Sequence, residues 1–135
     1  MKLITAKSLL ASALLAIAAS GAALAASDNH VDVKQGAALQ SQGALLLDVR
    51  EENEYAEGHA PGSTLIPLGQ LPQRLQEIDG YKNKQVAVIC RSGSRSAKAL
   101  KVLEQAGFST AVNVEGGMIA WQKAGLPVVS GAASR

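Results

Sequence analysis

The strongest constraint on the fold is an alternation. Four short apolar runs, at residues 44–49, 64–66, 86–90 and 111–114, are separated by stretches of helical character at 34–42, 52–57, 71–78, 94–105 and 118–123. Each run is short and nearly free of polar residues, as strands covered on both faces are. Within 94–105, Ala97, Leu100, Val102 or Leu103, and then Ala106 recur at helical spacing, with Lys98, Lys101 and Glu104 opposite and Gly107 as a stop. Strands that alternate with helices return to the same end of a sheet and pair in parallel. The pattern therefore predicts one α/β domain, a central and mainly parallel sheet flanked by helices on both faces, with functional loops at the carboxyl ends of its strands. Residues 31–33 are expected to add a short first strand, and 135 residues leave no room for a second core of similar volume.

The first 25 residues are set apart. Lys2 and Lys7 give a positive start, an Ala- and Leu-rich stretch follows over 9–24, and Ala23-Leu24-Ala25 places small residues at a cleavage site. Ser12, Ser20 and Gly21 weaken that stretch as a membrane anchor, and no cysteine follows it to carry a lipid. The expected organisation is a signal peptide over 1–25 and one domain over 26–135, exported to the periplasm, without stable membrane insertion once the signal is cut. Removing Lys2 and Lys7 takes the thirteen basic residues to eleven, which equals the eleven acidic ones. The mature chain then has no basic excess with which to bind nucleic acid.

Cys90 is the only cysteine, so neither an intrachain disulfide nor a thiolate-rich zinc site can form. Lone cysteines usually serve as small apolar residues closing a strand. Here the neighbours argue for reactivity. The buried run Val86-Ala87-Val88-Ile89 ends at Cys90, and Arg91, Ser92, Gly93, Ser94, Arg95 and Ser96 lead directly into a helix. Small residues let the backbone curl so that successive N–H groups point inward, and the helix aims its positive end at the same place. Those groups and two guanidinium charges favour thiolate over thiol, so Cys90 is expected to titrate below its free value.

At these residues the sequence resembles the rhodanese-like sulfurtransferases, especially small single-domain exported members. The resemblance rests on Asp48-Val49-Arg50-Glu51 with Glu54-Tyr55, on Gly58-His59-Ala60-Pro61-Gly62-Ser63, on the loop from Cys90 to Ser96, and on Glu115-Gly116-Gly117 with Trp121 and Gly125-Leu126-Pro127. It implies transfer of a sulfane sulfur through a persulfide on Cys90, with Arg91, Ser92, Gly93, Ser94, Arg95 and Ser96 as substrate-binding residues and no metal or cofactor. Phosphatase relatives of this fold carry five residues between cysteine and arginine; here Arg91 to Ser94 makes four, a tighter ring suited to the terminal sulfur of thiosulfate. The expected donor is thiosulfate and the expected acceptor cyanide or a thiol; no protein partner is legible. A module that carries sulfur or a soft metal ion without turnover is the alternative.

The remaining signatures are read as scaffold. Arg50 is expected to pair with Glu54 at the start of a helix, His59 to sit in a hydrogen-bonded turn among Gly58, Pro61 and Gly62, and Trp121 to anchor the core. Gly116 and Gly117 are expected to allow close approach at a helix start beside the Cys90 loop. His30 and residues 130–135 are expected to lie in loose ends, and two histidines so placed do not make a metal site.

Overall fold

The computed structural model describes residues 29–134, and the expected signal, 1–25, lies outside the described residues. The strands are β1 (His30–Val31), β2 (Leu45–Asp48), β3 (Thr64–Leu65), β4 (Val86–Ile89) and β5 (Ala111–Val114). The α-helices are α1 (Val33–Ser41), α2 (Glu52–Glu57), α3 (Leu71–Arg74), α4 (Ser94–Gln105) and α5 (Gly117–Lys123). All pairings are parallel, in the order β1-β5-β4-β2-β3. From β2 the chain moves to one side to form β3, whereas from β4 it moves to the other to form β5. The carboxyl ends of β2 and β4, adjacent through the Asp48–Ile89 register, are thus where the following segments part, and such a parting leaves a crevice.

Both sheet faces are covered, as a pleat of period two requires when every position is apolar. Leu45, Leu47, Val49, Val86, Val88 and Cys90 point to one face, against Ala99, Leu100 and Leu103 of α4 and Phe108. Leu46, Ala87, Ile89 and Val114 point to the other, with Val33, Met118 and Trp121. Trp121 is the expected core anchor, and its indole N–H donates to the Pro127 carbonyl at 2.8 Å.

Local chemistry moves several expected boundaries. The first strand stops at Val31 because Asp32 caps α1: its carboxylate accepts the Gln35 N–H at 2.8 Å while Gln35 Oε1 accepts the Asp32 N–H at 2.8 Å. A reciprocal cap of this kind contributes about 1 kcal/mol, and Val33 becomes helical. The segment expected as one helix over 71–78 is α3 followed by a 3₁₀ stretch, Leu75–Tyr81, since Ile78 leaves helical dihedrals (φ −117°, ψ 17°) with its side chain buried. On α4 the buried stripe is Ser96, Ala99, Leu100 and Leu103, and Ala97 is only half-buried.

Two expected loose ends are tied. His30 belongs to β1 and lies 3.6 Å from the Glu115 carboxylate. Val129 exchanges backbone hydrogen bonds with His59 at 2.8 and 2.9 Å, and the Gly131 N–H reaches the Ala56 carbonyl at 2.9 Å. Among the described residues no helix is long and apolar enough to cross a membrane.

Candidate active site

Cys90 follows β4 directly, at the crevice, and only 1% of it is exposed. The Gly93 N–H donates to its sulfur at 3.1 Å and the Ser96 N–H at 3.3 Å, while the Ser96 hydroxyl lies 3.3 Å away. Burial pushes the Cys90 thiol up; the hydrogen bonds that the Ser96 hydroxyl, when turned to the sulfur, and the Ser96, Gly93 and Ser92 N–H groups give a thiolate outweigh it and hold the thiol below its ordinary value. The expected direction is met, and donors to the sulfur set it. Backbone curvature makes the ring possible: Gly93, at φ +111°, occupies the left-handed region as the residue before α4. The Ser92 and Ser94 side chains are exposed.

A second helix holds the loop from behind. The Met118 N–H donates to the Cys90 carbonyl at 2.8 Å and the Ile119 N–H to the Arg91 carbonyl at 3.1 Å. First-turn amides of α5, which have no partner within their own helix, thereby draw two loop carbonyls away from the sulfur. Gly116 and Gly117, at φ +82° and +55°, bring α5 close enough to do so, as their place in the sequence suggested.

The two loop arginines differ. Arg91 is exposed and lines an open cleft of about 210 Å³ with Arg50, Glu54, Gly58, Met118 and Ile119. Arg95 points to α2, where its Nη1 and Nη2 donate to Glu54 Oε1 and Oε2 at 2.7 and 2.9 Å. The pair raises Arg95 above its ordinary value, with a smaller contribution from the charge of Cys90. The expected Arg50–Glu54 ion pair is not formed. Arg50 turns instead to Asp48, donating from Nη2 to Oδ2 at 2.7 Å and from Nε to Oδ1 at 2.9 Å. The Asp48 carboxylate is fully buried, and an unpaired charge there would cost far more than an exposed pair on α2 returns. Arg50 also donates to the Gly58 carbonyl at 2.9 Å, fixing the turn that holds His59. His59 Nδ1 lies 2.7 Å from the Tyr55 carbonyl and its ring stacks on Tyr55 at 3.6 Å between centroids, the turn role expected of it.

Glu54 gives a measurable pH dependence. The Arg95 guanidinium holds its carboxyl down at about 2 against an ordinary 4.5; burial opposes this and the Glu51 N–H assists. A depressed carboxyl stabilises the fold above its unfolded value, and that stability is lost as pH falls from about 4.5 toward 2. Both side chains are partly solvated, which reduces the effect to about 1 kcal/mol. Urea midpoints should therefore show Glu54→Gln less stable than the parent near neutrality, with the gap closing toward pH 2; a gap independent of pH would exclude the pair as its source.

Asn113 was missed by sequence reasoning. It is buried in β5, in register with Val88, and its Oδ1 accepts the Ser96 hydroxyl at 2.6 Å while Nδ2 donates to the Gly93 carbonyl at 3.3 Å. The available signal was a lone polar residue in Ala111-Val112-Asn113-Val114, a run otherwise apolar. Among the described residues no three His, Cys, Asp or Glu side chains gather as a metal-binding set.

The chain is similar in sequence and fold to known proteins. Residues 32–124 match the rhodanese-like domain family. The "Putative sulfurtransferase YtwF" of Bacillus subtilis is 48% identical over 77 residues, which span 57% of this chain and 72% of that protein. Thiosulfate sulfurtransferase 16, chloroplastic, of Arabidopsis thaliana is 35% identical over 95 residues, 63% of this chain and 79% of that one. The crystal structure of a rhodanese-related protein from Thermoplasma volcanium superposes with a TM-score of 0.68 at 34% identity, covering 75% of this chain and 97% of the other. With its five-stranded parallel sheet and its cysteine loop between β4 and α4, this chain belongs to the rhodanese-like sulfurtransferase family.

Proposed function

We propose that this chain is an exported thiosulfate sulfurtransferase in which Cys90 carries the sulfur as a persulfide. The observation that carries the reading is the pair of loop amides aimed at a buried sulfur, Gly93 N–H at 3.1 Å and Ser96 N–H at 3.3 Å, in a ring with only four residues between Cys90 and Arg95. The Cys90 thiolate attacks the outer sulfur of thiosulfate. The sulfur–sulfur bond of the donor breaks with its electron pair leaving on sulfite, and Cys90 retains the transferred atom as a persulfide anion. Cyanide or a thiolate then attacks that outer sulfur, and the Cys90 thiolate departs unchanged. Loop amides suit the sulfur anion at both stages. Arg91, at the cleft beside the loop, supplies a cation for the donor, and Arg95 serves by shaping the loop through Glu54 as well as by its charge. The thiosulfate name of the relative from Arabidopsis thaliana supports the choice of donor. The leader over 1–25 would deliver the domain of 26–135 to the periplasm.

Intact-mass measurement after exposure to thiosulfate tests the reading. The expected product is heavier by one sulfur atom, reverts on addition of cyanide, and forms thiocyanate over many cycles. A protein whose mass does not change would remove the reading. One that loads sulfur but completes a single cycle would be a carrier, and the enzyme assignment would fall.

A further inference from the structure

The Ser96 hydroxyl has one proton and two neighbours that can accept it. It lies 3.3 Å from the Cys90 sulfur and 2.6 Å from Asn113 Oδ1. Asn113 is oriented by its other end, where Nδ2 donates to the Gly93 carbonyl at 3.3 Å; reversing the amide would set two carbonyl oxygens against each other. Oδ1 is an acceptor only, so the short contact places the hydroxyl proton on the Asn113 side. The oxygen then offers only lone pairs to Cys90. That arrangement satisfies a thiol, whose S–H donates to Ser96, but a thiolate gains the hydroxyl as a donor, beside the loop N–H groups, only by drawing it away from Asn113. Ser96 and Asn113 are both buried, so water does not readily replace either partner.

We propose that Asn113 is a positioning residue that competes with Cys90 for the Ser96 hydroxyl proton and so restrains ionisation of the thiol within its own loop. When Cys90 loses its proton to a solvent base, the hydroxyl must swing from Asn113 Oδ1 to the sulfur, leaving a buried amide oxygen without its donor. That penalty is charged to the thiolate. Charged groups on the surrounding elements are Arg91 in the loop, Arg95 on α4 with Glu54 of α2 behind it, the Asp48–Arg50 pair at the end of β2, and Glu115 after β5. None is removed by an exchange at Asn113.

The inference rests on Cys90 being the reactive thiol of the proposed function, but its test uses no sulfur donor. Cys90 is the only thiol, so the pH dependence of its alkylation by iodoacetamide reports its titration without background. Asn113→Leu removes the acceptor while keeping the branched shape and the number of heavy atoms, with a somewhat larger side chain. The freed hydroxyl turns to the sulfur, and the titration midpoint should fall by about one unit, the equivalent of one charge-assisted hydrogen bond. In a Ser96→Ala background the same exchange should leave the midpoint unmoved. A purely structural role gives the opposite sign, because a loosened Gly93 would weaken its N–H donation and raise the midpoint. An unchanged or raised midpoint in Asn113→Leu, or an equal fall without the Ser96 hydroxyl, would overturn the proposal. Asn113→Val, which also lacks an acceptor and suits a strand, decides the matter should the leucine variant not fold. Failure of sulfur loading alongside a lowered midpoint would count against the proposed function alone.

Discussion

Exchange of Cys90 for serine is expected to abolish sulfur loading and to reduce thiocyanate formation by roughly 10³-fold or more, to the level of the uncatalysed reaction. A serine oxygen is not ionised near neutrality and forms no persulfide, whereas the Gly93 and Ser96 N–H groups that donate to the Cys90 sulfur can still donate to an oxygen. The loop should keep its shape, and the variant should melt within a few degrees of the parent. Intact mass and steady-state turnover, measured on the same preparation, check both halves. Turnover that survives the exchange would dismiss Cys90 as the carrier of the transferred atom.

The next largest effect is structural and falls on Gly117. A Cβ placed there would lie 2.5 Å from the carbonyl carbon and oxygen of Arg91 and 2.5 Å from the carbonyl oxygen of Cys90, on a backbone at φ +55°. All three atoms belong to the main chain and cannot rotate away. Relief requires α5 to retreat, which breaks the Met118 N–H bond to the Cys90 carbonyl. Left-handed strain for alanine is about 1 kcal/mol, and the collision with the lost bonds raises the total to about 3 kcal/mol or more. Gly117→Ala should therefore lower the melting temperature by roughly 10–20 °C and shift Cys90 alkylation to higher pH as the loop amides turn from the sulfur. Gly125→Ala separates the two contributions, since Gly125 sits at φ +74° with nothing within 4 Å of its added carbon. It should show the strain alone, and equal losses at both positions would refute the close approach of α5 to the loop.

Periodicity carried the layered architecture because the central strands are apolar but for Asp48 and Asn113, and α2 and α4 have clear polar flanks. The 52–57 and 94–105 boundaries coincide with Glu52–Glu57 and Ser94–Gln105. It failed where a side chain answered to burial or to a partner distant in sequence. Arg50 has an acceptor four residues ahead in Glu54, but the choice depended on how deeply Asp48 is buried, which no spacing reveals. Ser96 reads as one of the small residues that let the loop curl, yet it sits in the buried stripe of α4, where the sulfur and Asn113 satisfy its hydroxyl. Asn113 comes from another strand, and only the β4–β5 register brings it beside the loop. The candidate position, Cys90, was legible because strand, glycine-containing turn and helix are contiguous; the partners around it arrive through tertiary packing.

Two seams have a bearing on how the domain is made. The first described strand closes against β5, and Val129 seals the turn at His59, so the one must wait for residues 113–114 and the other for residue 129 to leave the ribosome. Cutting the chain just before Val129 would release a turn some way back in the sequence.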